Sequence, residues 1–145
     1  MKKVIENIVY SYYVLDIVHK GHLLMLKKSK EAAGSNGKLI VGILTDEAVM
    51  EKKEPPILKF DERFEIASSI RFVDEVVEQR TYSPLENLKK IKPNILMESS
   101  SHSKEDTQSV ENYMKSINGE VIRVPYYDNQ SSTKIKNLIL KRASL

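Results

Sequence analysis

The chain of 145 residues has no cysteine and no tryptophan, and only three histidines, five glycines and five prolines. Without cysteine there are no disulfides and no thiolate metal sites, and nothing points to an oxidising compartment. Long apolar runs are missing too. None approaches the roughly 20 residues of a membrane span, and Met1-Lys2-Lys3 is not followed by a signal-peptide core. A cytoplasmic protein with no membrane contact is the expectation. Charge of one sign is also absent. With 23 basic against 20 acidic side chains the net charge is +3, too balanced to suggest nucleic acid but compatible with a small polyanion. What is present, 41% hydrophobic and 30% charged residues, describes an ordinary globular chain, and residues 1–145 read as one domain with a core of its own.

Scarce histidine makes its placement informative. Two of the three lie in His19-Lys20-Gly21-His22, between a β-rich run at residues 8–14 and an apolar-periodic helix from Leu23 to about Ala33. At a strand-to-helix turn this spacing sets both imidazoles beside the free N–H groups that open the helix. Those groups and the helix dipole, roughly half a positive charge, favour a phosphate. The imidazoles add donors for charge that grows during phosphoryl transfer. On the tetrapeptide alone, a solvated pair of histidines explains the spacing equally well.

The remaining chain alternates. Residues 38–44 are an almost unbroken apolar run, as in a strand buried on both faces of a parallel sheet. Thr45 reads as the cap of a short helix, and Lys52-Lys53-Glu54-Pro55-Pro56 as loop. A helix follows at 60–70, a strand at 73–77, and a helix opened by Ser83-Pro84. A strand spans 94–97, a serine-rich loop 98–106, a helix 110–117 closed by Asn118-Gly119, and a fifth strand 121–124. Ser131-Ser132-Thr133 caps a last helix to about Lys141. The pattern predicts an α/β fold, a doubly wound, Rossmann-like sheet of five parallel strands with helices on both faces. Ligands bind such sheets at the carboxyl ends of the strands, where the two histidines and the Ser-Ser-Thr cap both fall. No G-x-G-x-x-G follows the first strand and there is no G-x-x-x-x-G-K-[ST], so neither a dinucleotide fingerprint nor a Walker loop is supported.

Asp16-Ile17-Val18-His19-Lys20-Gly21-His22 resembles the D-x-x-H-x-G-H signature of the cytidylyltransferases, within the nucleotidylyltransferase superfamily. Val41-Gly42-Ile43-Leu44-Thr45-Asp46-Glu47 is similar to that family's second strand and S-T-D-E turn. Glu62-Arg63-Phe64, with Ile70-Arg71-Phe72-Val73-Asp74-Glu75-Val76, is similar to its R-x-x-x-x-x-x-I-R-Y-V-D-E-V block. Ser131-Ser132-Thr133-Lys134-Ile135 is similar to the end of its R-T-x-G-I-S-T-T motif. The likeness spans nearly the whole chain. Glycerol-3-phosphate and small-phosphonate cytidylyltransferases are the members it most resembles.

The resemblance implies transfer of CMP from CTP to the phosphate or phosphonate of a small acceptor, with release of pyrophosphate and no covalent enzyme intermediate. Positioning and charge neutralisation then carry the chemistry. It implies that His19, His22, Lys52 and Arg63 act in catalysis, with Lys53 able to stand in for Lys52. It implies that Asp16, Gly21, Ser131, Ser132 and Thr133 bind the nucleotide. Mg2+ would accompany CTP, with no metal held by the protein itself, and a homodimer is expected. Three positions depart from the family pattern. Tyr13 stands where the family has a glycine, Glu98-Ser99-Ser100-Ser101 where it has G-D-D-W, and Tyr126 where it has an arginine. Tyr13 would narrow the nucleotide pocket. His102, in the altered loop, reads as a solvated side chain or a contact to an unusual substrate. The departures keep two other readings open: an adenylyltransferase of the same superfamily, and a nucleotide-binding regulatory protein that has lost catalysis.

Overall fold

The structure, a computed structural model, describes residues 7–99, 104–125, 127 and 129–144. Five strands form one parallel sheet in the order β3-β2-β1-β4-β5. They are β1 (Ile8–Tyr13), β2 (Lys38–Leu44), β3 (Glu75–Gln79), β4 (Ile95–Ser99) and β5 (Glu120–Val124). The helices are α1 (Lys20–Ala33), α2 (Asp46–Met50), α3 (Phe60–Ser68), α4 (Leu85–Ile91), α5 (Lys104–Ser116) and α6 (Ser132–Ala143). The Rossmann-like α/β architecture is therefore the observed one.

Alternation along the strands builds two cores. Val9, Leu39, Val41 and Ile43 meet Leu26 of α1 and Ala67 of α3 on one face. Tyr10, Ile40 and Leu96 meet Leu88 of α4 and Val110 and Met114 of α5 on the other. Each fully buried Leu or Val contributes about 1.5–3 kcal/mol, so the long, doubly covered β1 and β2 anchor the sheet. Gly42 is required there. A Cβ would collide with the Tyr10 hydroxyl, which donates to Gln79 Oε1 at 2.5 Å and accepts from Asn87 Nδ2 at 3.0 Å. Strand order reverses between β1 and β4, and sheets of this kind bind ligands at the carboxyl ends beside such a switch point.

Several boundaries differ from the sequence expectation. Helix α1 begins at Lys20, three residues before Leu23, because His19 itself serves as its cap. β3 lies two residues beyond the expected 73–77. There Asp74 is held out of the strand, accepting from Lys30 Nζ at 2.5 Å and the Leu39 N–H at 2.7 Å. The serine-rich stretch is not all loop, since β4 reaches Ser99 and α5 starts at Lys104. Thr107, Val110 and Met114 of α5 are buried, and burial of that face carries the helix through polar sequence. Ser100, Ser101 and His102 lie outside the described residues, as does Tyr126.

Candidate active site

Helix α1 opens with an unusual cap. His19 is extended, at φ −141° and ψ 177°, and its Nδ1 accepts from the Gly21 N–H at 3.0 Å. His22 Nδ1 accepts from the His19 N–H at 3.2 Å. This is the reciprocal geometry of a capping box, built from two imidazoles instead of a hydroxyl and a carboxylate. It settles the tautomers. With both Nδ1 atoms accepting, each neutral ring carries its proton on Nε2. Burial lowers the pKa of His19, and burial together with His19 pushes His22 down to about 4. The ring centroids are 4.1 Å apart. At neutral pH the turn thus offers two neutral Nε2–H donors side by side at a helix N-terminus.

Neighbouring residues hold the pair in place. Tyr13 meets the His22 ring edge-on, 6.2 Å between centroids and 83° between planes. Its hydroxyl is buried beside Ser11 and Ser29, and burial pushes its pKa up to about 12. Tyr13 therefore packs into the α1 layer and backs His22, where the sequence suggested that it would narrow the pocket. Gly21 allows the close approach, since a Cβ would come within 2.7 Å of His19 Cε1 and 2.8 Å of Tyr127 Cδ1. Leu15 takes φ 56° although it is fully buried, a conformation costing about 1–3 kcal/mol for a non-glycine residue. The turn tolerates it because both neighbours are pinned: Arg63 Nη1 donates to the Val14 carbonyl at 2.8 Å, and Asp16 is fixed through its carboxylate.

Asp16, expected to bind nucleotide, accepts from the Ile57 and Leu58 N–H groups at 2.9 and 2.8 Å and from Lys136 Nζ at 2.7 Å. Burial pushes its carboxyl up, but these partners outweigh burial and hold it below the usual carboxylate range. Arg63, expected in the catalytic set, is 0% exposed. Nε donates to the Leu58 carbonyl at 2.9 Å and Nη2 to Asp46 Oδ1 at 2.8 Å. Its guanidinium faces the junction behind the site and braces it.

The last helix arrives at the same turn. Ser131 caps it, Oγ accepting from the Lys134 N–H at 3.0 Å. Ser132 Oγ donates to the Ile17 carbonyl at 2.9 Å, two residues before His19. Helix geometry leaves the Ser132 and Thr133 N–H groups without intrahelical partners, and Thr133 is exposed. The histidine turn and the hydroxyl-rich helix start, more than 100 residues apart in sequence, thus share one location. Lys52 lies over Tyr82. Its Nζ lies 5.2 Å from the centroid of the Tyr82 ring, with Lys53 on the same ring at 6.0 Å, at the carboxyl ends of β2 and β3. Sequence reading missed Tyr82, Tyr127 and Lys136. Lys136, one turn beyond Ser132, was the most legible of these, since a helix places i and i+4 on one face.

Glu98, at the end of β4, is 2% exposed and accepts from the Tyr12 hydroxyl. Burial pushes its pKa up to about 7 against the pull of Tyr12 and Arg123, with Glu111 adding to the rise. Among the described residues no group of three or more His, Asp or Glu side chains could hold a metal ion.

Comparison with known proteins matches residues 14–138 to the family model described as cytidylyltransferase-like. An FAD synthase of Korarchaeum cryptofilum is 32% identical over 128 residues, covering 87% of this chain and 86% of that protein. An FAD synthase of Pyrococcus horikoshii is 35% identical over 130 residues, covering 87% and 85%. Among solved structures, a lipopolysaccharide core biosynthesis protein from Thermoplasma volcanium superposes with a TM-score of 0.72 at 24% identity, over 84% of this chain and 98% of that one. At that identity the superposition speaks for the fold alone.

Proposed function

The chain belongs to the cytidylyltransferase-like family of nucleotidyltransferases, and we propose that it transfers the nucleotidyl group of a nucleoside triphosphate, ATP in first place, to a phosphomonoester, releasing pyrophosphate. The observation that carries this reading is the pair of neutral Nε2–H donors beside the start of α6. An acceptor phosphate oxygen attacks the α-phosphorus, the bond to the bridging oxygen breaks, and pyrophosphate takes the electron pair. No side chain need become a nucleophile. His19 and His22 donate to oxygens whose negative charge increases in the transition state, and donors already fixed in position need no reorganisation at that moment. The Ser132 and Thr133 N–H groups and the Thr133 hydroxyl, with Ser131 as cap, receive the outer phosphates. Gly21 keeps the backbone close. Asp16 and Arg63 position the turn, and Lys52 meets the acceptor's charge from the β2–β3 side.

ATP stands ahead of CTP because the FAD synthases are full-length relatives at 32% and 35% identity, and FAD is FMN joined to AMP. Transfer of CMP from CTP to a small phosphate or phosphonate is the second reading, favoured by the D-x-x-H-x-G-H and Ser-Ser-Thr blocks. Magnesium would enter with the triphosphate and neutralise part of its charge. One domain would carry the activity, as a homodimer in the cytoplasm. No described helix is long and apolar enough to cross a membrane.

The test is pyrophosphate release with ATP, CTP, GTP and UTP, each offered FMN, glycerol 3-phosphate and a small phosphonate. Release with ATP and FMN is the expected result. Release confined to CTP with glycerol 3-phosphate or the phosphonate selects the second reading. Silence in every combination, with nucleotide still bound, leaves a regulatory protein without catalysis.

A further inference from the structure

Helix α6 runs for 12 residues without burying one side chain. A helix of that length has little stability alone and depends on what packs or pins it. Among the contacts of the described residues, two polar ones reach from its first turns to the histidine turn. Ser132 Oγ reaches the Ile17 carbonyl, and one turn later Lys136 Nζ reaches Asp16 Oδ2 at 2.7 Å. The pair is unlike an ordinary surface ion pair, because the Asp16 side chain is 4% exposed and that of Lys136 35%. The same carboxylate receives the Ile57 and Leu58 N–H groups, and Arg63 closes the junction from inside through the Val14 and Leu58 carbonyls. Three segments therefore meet on one carboxylate: the histidine turn, the segment leading into α3, and α6.

We propose that Lys136 is a positioning residue for nucleotide binding. Its ion pair with Asp16 holds the start of α6 against the histidine turn, so that both elements meet one polyphosphate. The role rests on the function proposed above and extends it to a residue one helical turn beyond the phosphate-binding N–H groups. Without the pair, α6 keeps its cap but loses its register on Ile17, and the hydroxyl side of the site loosens while both histidines stay capped. A lysine that contacted phosphate directly would behave differently, because removing Asp16 would then free it for the ligand.

Calorimetric titration of the full chain with ATP, and separately with CTP, distinguishes these cases without any acceptor. Lys136→Met is expected to weaken binding about tenfold and Lys136→Arg to restore most of it. Asp16→Asn should weaken binding to a similar degree, and the double variant Asp16→Asn with Lys136→Met should be no weaker than the weaker single variant. Amide exchange over residues 132–143 should quicken in Lys136→Met while residues 20–33 keep their protection. Unchanged affinity in Lys136→Met overturns the proposal, as does wild-type affinity in Asp16→Asn beside weak binding in Lys136→Met. If the wild-type chain binds neither ATP nor CTP, the proposed function falls, and this role with it.

Discussion

At His22 the surroundings push the imidazole pKa from 6.5 to about 4, and at Glu98 burial pushes the carboxyl from 4.5 to about 7. The two shifts act oppositely on stability. Below pH 6.5 the unfolded chain protonates His22 before the folded one does, so stability from this group falls as pH drops from 6.5 toward 4. Between pH 4.5 and 7 the folded chain keeps a proton on Glu98 that the unfolded chain has released, so stability from that group falls as pH rises. In the wild type they offset each other over the shared window. Glu98→Gln should therefore gain more stability between pH 5 and pH 7 than wild type does, read as the change in urea midpoint. An equal or smaller gain would show that Glu98 titrates normally. His19→Ala or His22→Ala should lower turnover by roughly 10²–10³, the loss expected when one donor to a developing oxyanion is removed. Each should also lower stability by about 0.5–2 kcal/mol, because each ring caps α1. Full turnover in both variants would remove the histidines from the chemistry.

Elements were legible in the sequence where periodicity and composition agreed. The apolar run of β2 and the Ser131 cap of α6 needed no structure to find. α1 was misjudged by three residues because histidine is not a usual cap, and its capping role appears only once both rings are seen to accept N–H bonds. α5 began early because the buried side chains that stabilise it are spread thinly through polar sequence. Arg63 was legible as a site residue by resemblance, but its depth was not, since arginine is almost never fully buried unless paired. Arg63→Ala would leave two carbonyls and the partly exposed Asp46 without their partner and should destabilise the chain by about 1–3 kcal/mol, measured by denaturant unfolding. Loss within the range of an ordinary surface substitution would show that the junction has other support. Gly21→Ala tests the turn more gently. The added methyl would press on His19 and Tyr127, so turnover should fall while the far-ultraviolet circular dichroism stays unchanged.

On the scale of the whole molecule, strand order decides what meets what. Placing β1 between β2 and β4 sets the histidine turn at the switch point, and β5, next to β4, delivers α6 to it. Alternating strand and helix predicted this architecture, but no residue pattern announced that Ser132 would bond to Ile17. Acceptor recognition was the least legible part, because Glu98-Ser99-Ser100-Ser101 replaces the family's G-D-D-W and its residues cannot be carried over. Assembly is a separate matter. Sedimentation equilibrium is expected to give a dimer, and a monomer would remove that expectation without touching the chemistry. The central claim, that the imidazole pair and the start of α6 converge on one polyphosphate, is tested most directly by a crystal structure with a non-hydrolysable ATP analogue and magnesium. The predicted result is a triphosphate within about 2.7–3.2 Å of His19 Nε2, His22 Nε2 and the Ser132 or Thr133 N–H groups. A triphosphate seated elsewhere, with both Nε2 atoms facing solvent, would contradict it.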